Sequence, residues 1–579
     1  MKPTVLLIAG FALIAIGEGA VTHETVAKVK EAPAFSSQYS AKGTLYIPYA
    51  EIREPFMAWY DEEAGNSRID YYGGIIILSK STLAFNLHDL TVFAGVVKTY
   101  QLSKEGPAGV SRKLAPVTTE TQLNQEMCLE VEGDSESNKV DTQSILPDLT
   151  GFECIGEDMV SGHTTEKWRL VVTNGDKVNK YTMWIRYKKN PQDPTKSIAL
   201  PIRYEMRGFN SLLGSHYDHY YLEYDWYSYE APAASVFQLP ENMTCTSFPG
   251  PGDKHIYTFN PMREFMQNYE THVNDAFEQF KQTHNKQYQD PSEHGKRKDI
   301  FRQNLRYIHS TNRAGLPYKL AVNHMADKSE LEMKAFRGRQ YSEGYNGGSA
   351  FPYDTPEMHK VPDSMDWRIF GAVTPVKDQS VCGSCWSFGT TGAIEGAYFV
   401  KYGHLIRVSQ QALIDCSWGY GNNGCDGGED FRSYNWMMKH GGIPTEEEYG
   451  PYLGQDGYCH VDNVTVTATI KGFVNVTSGS VAALKLALSK HGPISVAIDA
   501  SHKTFSFYSN GVYFEPKCGS SSFDLDHAVL LVGYGTLNGK DYWLIKNSWS
   551  NYWGNDGYIL MAQKDNNCGV LTAPTYVVM

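Results

Sequence analysis

The run Gln379-Ser-Val-Cys382-Gly-Ser-Cys385-Trp386 sets a thiol, Cys385, shortly after an amide side chain, Gln379. A neutral thiol is a weak nucleophile; the thiolate attacks. Downstream, Phe388, Ile394, Ala397, Tyr398 and Lys401 recur at mixed three- and four-residue spacings, with the lysine at the polar end. That spacing predicts a helix starting near Cys385, whose positive dipole end stabilises a thiolate. Far along the chain stand His527, in Leu-Asp-His-Ala-Val, and Asn547, in Lys-Asn-Ser-Trp. Beside the thiol, His527 would take its proton and remain as an imidazolium. Asn547 would bond the other ring nitrogen and fix the ring. The Gln379 amide and the Cys385 backbone N–H would then be two donors to the oxyanion of an acyl transfer.

Cys-x-x-Cys pairs also build zinc and redox sites. Here no second pair and no His-x-x-x-His follows at zinc-finger spacing, so no metal or cofactor is expected. The Cys-Gly-Ser-Cys-Trp signature with the later His and Asn resembles the papain family, and within it the cathepsin L-like cysteine peptidases. The resemblance spans about residues 361–579. It implies an α+β, two-lobed fold, a helical lobe beside a β-barrel-like lobe. It implies a Cys385-His527-Asn547 triad, Gln379 in the oxyanion hole, and Trp549 shielding the His–Asn bond from water. Six cysteines other than Cys385 lie in this region. Sequence alone leaves their pairing open; the resemblance selects Cys382–Cys425, Cys416–Cys459 and Cys518–Cys568. It also maps Gly427 and Gly428 to the edge that binds substrate backbone. Glu429, Asp430, Ala497, Ala528 and Ala573 map to the pocket for the residue one before the acyl residue. An acid facing that pocket favours a basic substrate residue; an acid facing solvent does not. With no occluding insertion evident, endopeptidase activity is expected.

Upstream, Glu293, Arg297, Phe301, Asn304, Ile308 and Asn312 recur every three or four residues and share one helix face. Their identities match the E-R-F-N-I-N pattern of cathepsin L-type propeptides. Ala321-Val-Asn323-His-Met325-Ala-Asp327 resembles the following G-x-N-x-F-x-D motif, with Ala for Gly and Met for Phe. The implied propeptide is an intramolecular inhibitor lying in the cleft, opposite in direction to a substrate. Residues 261–360 carry a formal +2 and residues 361–579 a formal −6, which favours that contact. Acid weakens paired carboxylates, so activation is expected at acidic pH, with Asp327 a participant.

The chain of 579 residues is too long for one core. The expected order is a signal peptide over 1–20, an aromatic-rich β unit over 21–250 and a linker over 251–262. The propeptide over 263–337, a cleavable linker over 338–360 and the peptidase over 361–579 follow. Lys2, the apolar run Val5–Ile16 and Gly17-Glu-Gly-Ala20 make the signal. The run is too short to span a bilayer, and no later stretch is apolar enough. In the β unit, stretches such as 43–49, 167–172, 180–187 and 201–206 alternate in polarity, which predicts an antiparallel, curled sheet. Sequons begin at Asn242, Asn463 and Asn475. Cysteine use and sequons fit a secretory route to a lysosome, a storage granule or the exterior. A net charge of −13 argues against nucleic acid as a partner.

The layout resembles insect haemocyte-type proteinases that carry such a head and mature into two chains. Two other functions compete with an endopeptidase made as a precursor and acting on proteins and peptides. The head could cap the cleft and make a dipeptidyl-type exopeptidase, or carry a binding function of its own.

Overall fold

The computed structural model describes residues 30–72, 97–117, 125–135, 139–191, 193–212, 214–247, 260–267, 270–352 and 361–579. The expected signal peptide lies outside them.

The head is a twelve-stranded sheet built from two antiparallel meanders. One runs from Gln38–Ile47 through Ile52–Asp61, Asn66–Tyr71, Val97–Leu102 and Val110–Val117 to Gln125–Glu132. The other runs from Glu153–Val160 through His163–Asn174, Lys177–Lys189 and Ser197–Asn210 to Ser215–Ser228. The first strand of the one pairs with the last of the other. Alternation sends Leu45, Phe56, Ala58, Ile69, Met183, Tyr204 and Leu222 to one face, where they form the head's core. Cys245–Ser247 adds a parallel strand, linked by a Cys128–Cys245 disulfide that the sequence left unassigned. Cys154 stays free and exposed. The expected linker ends early: Met262 and Phe265 are buried in the head's core, and Asn260 bonds Gln101.

The propeptide is a helical hairpin, Thr271–Thr283 and Pro291–Arg313, followed by a turn and a short strand, Tyr318–Leu320. Asp290 caps the long helix by accepting from the Ser292 and Glu293 amides, and Pro291 fits its first turn. Phe301 packs on Phe277 and Phe280, and Ile308 is buried. Asn304 donates to the Ala326 carbonyl at 2.9 Å, and Asn312 exchanges two hydrogen bonds with Leu320. Arg297 bonds Glu293, Glu332 and the Asp327 carbonyl. Burial pushes Glu332 up, but the Arg297 and Ser329 hydrogen bonds outweigh it and hold Glu332 near 2. The six-residue pattern thus grips the turn that meets the peptidase.

The opposite face of the long helix is not solvated. It docks on the head through Arg306, which bonds Asp218 at 2.8 Å and Glu264 at 2.6 Å, and through Arg313, which bonds Glu54 at 2.7 Å.

The peptidase has a helical lobe, with Cys385–Tyr402, Gln410–Cys416 and Asp430–His440, and a sheet lobe. In the sheet, Tyr508–Tyr513, Tyr558–Ala562, Lys540–Lys546, His527–Leu537, Ile494–Ile498, Thr575–Val578 and Gly472–Asn475 lie side by side. Both edges are covered from upstream: Tyr318–Leu320 of the propeptide pairs on Tyr508–Tyr513, and Ser349–Ala350 of the segment after it on Gly472–Asn475. Propeptide Phe301, Met325 and Phe336 share one core with Phe505, Trp549 and Trp553 of the sheet lobe. The expected 338–360 linker is therefore tethered as far as it is described, to 352, although mostly exposed.

Candidate active site

Cys385 opens its helix, and glycines let that helix approach the sheet closely. A Cβ at Gly392 would lie 2.5 Å from the Leu530 side chain, and one at Gly396 would lie 2.4 Å from Pro493. The neighbouring strand, His527–Leu537, begins at the histidine. The Ala528 amide, next to His527, hydrogen-bonds the cysteine sulfur. His527 Nε2 lies 2.8 Å from Asn547 Oδ1, which also accepts from the Ser548 amide. Trp549 lies over the imidazole with ring centres 4.9 Å apart, and Trp549, His527 and Asn547 are all buried. Gln379 is held by Ser548 Oγ, which donates to its Oε1 at 2.6 Å. Ser548 thus ties the amide donor to the residue after Asn547, a role that sequence reasoning missed.

The propeptide covers these groups. Gly338 N donates to Cys385 Sγ at 3.3 Å, and Gln379 Nε2 donates to the Phe336 carbonyl at 3.0 Å. Under this cover, burial pushes the Cys385 thiol up to about 11 and the His527 imidazole down to about 4. Both shifts favour the neutral forms while the Gly338 segment lies over the site.

The backbone of 338–340 follows Gly428: Gly428 N donates to the Gly338 carbonyl at 2.9 Å, and Gln340 N donates to the Gly428 carbonyl at 3.0 Å. The pairing is parallel. A Cβ on Gly427 would lie 2.7 Å from the Gly338 carbonyl. Beyond it opens a cavity of about 750 Å³ lined by Glu429, Asp430, Ala497, Ala528 and Ala573, with no residue of the head in its wall. The two acids differ. Asp430 accepts from the Thr575 hydroxyl at 2.6 Å and from the Phe431 amide, so it is committed to the fold. Glu429 faces the guanidinium of propeptide Arg339 at 3.8 Å, with Arg432 at 3.4 Å on its other side.

The three expected disulfides are present. Asn323 donates to the Ser506 carbonyl across the contact at 2.8 Å. Asp327 does not reach the peptidase: its partners are Lys286 and Tyr288, both in the propeptide, so it braces the turn from within. Asn242 and Asn463 are exposed. Asn475 is a correction: its Nδ2, the atom a glycan would need, bonds Asn346 Oδ1 at 2.8 Å inside the covered edge. Among the described residues no helix is long and apolar enough to cross a membrane.

Residues 361–578 match the papain family cysteine protease profile, and residues 277–333 the cathepsin propeptide inhibitor domain. Digestive cysteine proteinase 1 of Homarus americanus is 45% identical over 312 residues, covering 52% of this chain and 94% of that protein. Cathepsin L of Sarcophaga peregrina is 44% identical over 316 residues, covering 52% and 92%. Among solved structures, digestive procathepsin L 3 of the Tenebrio molitor larval midgut is 38% identical with a TM-score of 0.49, over 53% of this chain and 99% of that one. With a relative this similar matched almost end to end, the chain belongs to the papain family as a cathepsin L-like cysteine-type endopeptidase carrying its own propeptide inhibitor domain.

Proposed function

We propose that Cys385 is the nucleophile, His527 its base and later the acid, Asn547 the group that orients the ring, and Gln379 with the Cys385 amide the oxyanion donors. The observation that carries this reading is the His527–Asn547 hydrogen bond, 2.8 Å long, buried under Trp549 and beginning the strand beside the Cys385 helix. Removing the Gly338 segment readmits water to the sulfur. Proton transfer from Cys385 to His527 then gives an ion pair that the helix start stabilises. The thiolate attacks the scissile carbonyl, the imidazolium protonates the leaving amine, and water hydrolyses the acyl-enzyme with His527 as base.

The substrates are proteins and peptides, with a preference for Lys or Arg at the second residue before the cut, read by Glu429. The precursor is latent at neutral pH and loses its propeptide by cleavage on acidification. A further cut before residue 260 leaves the head as a second chain. The route is secretory, to a lysosome, a storage granule or the exterior. The test is mass analysis of acid-treated precursor with activity measured on the same sample. A Cys385→Ser chain that hydrolyses peptides at the wild-type rate defeats the assignment.

A further inference from the structure

Where the propeptide turn meets the peptidase, two histidines stand against one tyrosine. His284 ends the helix Thr271–Thr283, and His324 lies in the turn between Asn323 and Met325. Their ring centres are 6.3 Å apart. The peptidase contributes Tyr552, edge-on to His284 at 4.9 Å and 6.2 Å from His324. Both nitrogens of His324 and Nδ1 of His284 are sealed from water and have no hydrogen-bond partner. The turn carrying His324 is the docked one. Its Asn323 bonds the Ser506 carbonyl, and Ala321 N donates to the Phe507 carbonyl at 2.9 Å.

The charges around the pair are mostly positive. Lys286 and Lys328 act on His324 from the propeptide, against the single carboxylate Asp327, which Lys286 already engages at 3.0 Å. From the peptidase, Asp378 faces this corner through Lys328, and Tyr552 contributes its ring. Among the described residues no carboxylate stands within salt-bridge distance of either imidazole. A proton added to either ring would therefore be buried, unpaired and beside like charge.

We propose that His284 and His324 are the acid trigger of this precursor: their protonation expels the turn from the peptidase around Tyr552 and so opens the cleft. This rests on the reading of the precursor as acid-activated and names the groups that take up the protons. Burial first, then Lys286, holds His284 below its ordinary value and His324 down at about 3. A base depressed in the docked state contributes fully above its free value of about 6.5, and its contribution is lost as pH falls below that. For His324 alone, going from pH 7 to about 4.5 weakens docking by roughly 10²-fold.

The test uses the full-length precursor carrying His284→Gln and His324→Gln, a neutral pair at every pH. Its latency at pH 7 should match wild type, and its processing on acidification should need a pH lower by about one unit or more. In a Cys385→Ser background, which cannot cut itself, hydrogen exchange of residues 318–327 should rise between pH 7 and 5 in the histidine chain and not in the glutamine chain. An unchanged processing midpoint overturns the inference. So does loss of latency at pH 7 in the glutamine chain, because ring contact rather than charge would then hold the turn. If the wild-type precursor is not processed in acid at all, it is the acid-activation reading that falls.

Discussion

Replacing Gly338 with alanine should unlock the precursor without acid. A Cβ there would lie 1.7 Å from the Gly383 carbonyl oxygen and 2.3 Å from its carbon. The wall cannot recede, because Gly383 N donates to the Cys425 carbonyl at 2.8 Å and its neighbour Cys382 is bridged to Cys425. The inhibitory strand must lift instead. Lifting removes the Gly338 bond to Sγ and the two bonds that tie Gly338 and Gln340 to Gly428. At about 1 kcal/mol net for each backbone hydrogen bond, the loss is about 2–3 kcal/mol. That corresponds to about 30- to 150-fold weaker cover. The assay is the labelling rate of Cys385 by a thiol-directed epoxide in uncut precursor at neutral pH, with chain integrity checked in the same tube. A matching rise in labelling is expected. An enzyme freed of residue 338 by cleavage should turn over at the wild-type rate. Unchanged labelling would refute the steric reasoning.

Further outcomes can be read on the mature enzyme. Cys385→Ala and His527→Ala should each abolish peptide hydrolysis, while Asn547→Ala keeps measurable turnover; full activity in either of the first two defeats the triad. Gln379→Ala should lower kcat by roughly 10²-fold with little change in KM, and a change confined to KM would make it a positioning group. Glu429→Leu should lose any preference for Lys or Arg in a substrate library profile, whereas Asp430→Asn should keep it; the reverse pattern would exchange their roles.

The residues proposed for catalysis stand out in the sequence because each sits in a run of distinctive neighbours, and the helix after Cys385 was legible from its apolar spacing. The six-residue face of Pro291–Arg313 was legible for the same reason. Its other face was not: Arg302, Arg306 and Arg313 look like a solvated surface until Asp218 and Glu54 of the head are placed against them. Sequence also could not divide the work between Glu429 and Asp430, because that depends on which one Thr575 engages across the cleft. Gly338 read only as the start of a linker, although its place between Arg337 and Arg339 was a hint of backbone approach beside fixed charge. The cover over Cys385 was not legible, because the residues around the thiol describe an open site, and beneath the Gly338 segment burial favours the neutral thiol.

The parallel run of 338–340 along Gly428 has a kinetic consequence. Cys385 Sγ accepts the Gly338 amide N–H, and 338–340 run parallel to Gly428, so the docked strand is not laid out as a substrate would be. A latent molecule in this geometry does not consume its own plug by ordinary turnover. Maturation then depends on encounters between a molecule whose strand has left and one that is still closed. The time course should show a lag that shortens with precursor concentration and disappears when a trace of mature enzyme is added. A store of the protein would thus stay quiet while dilute and convert as a wave once concentrated and acidified.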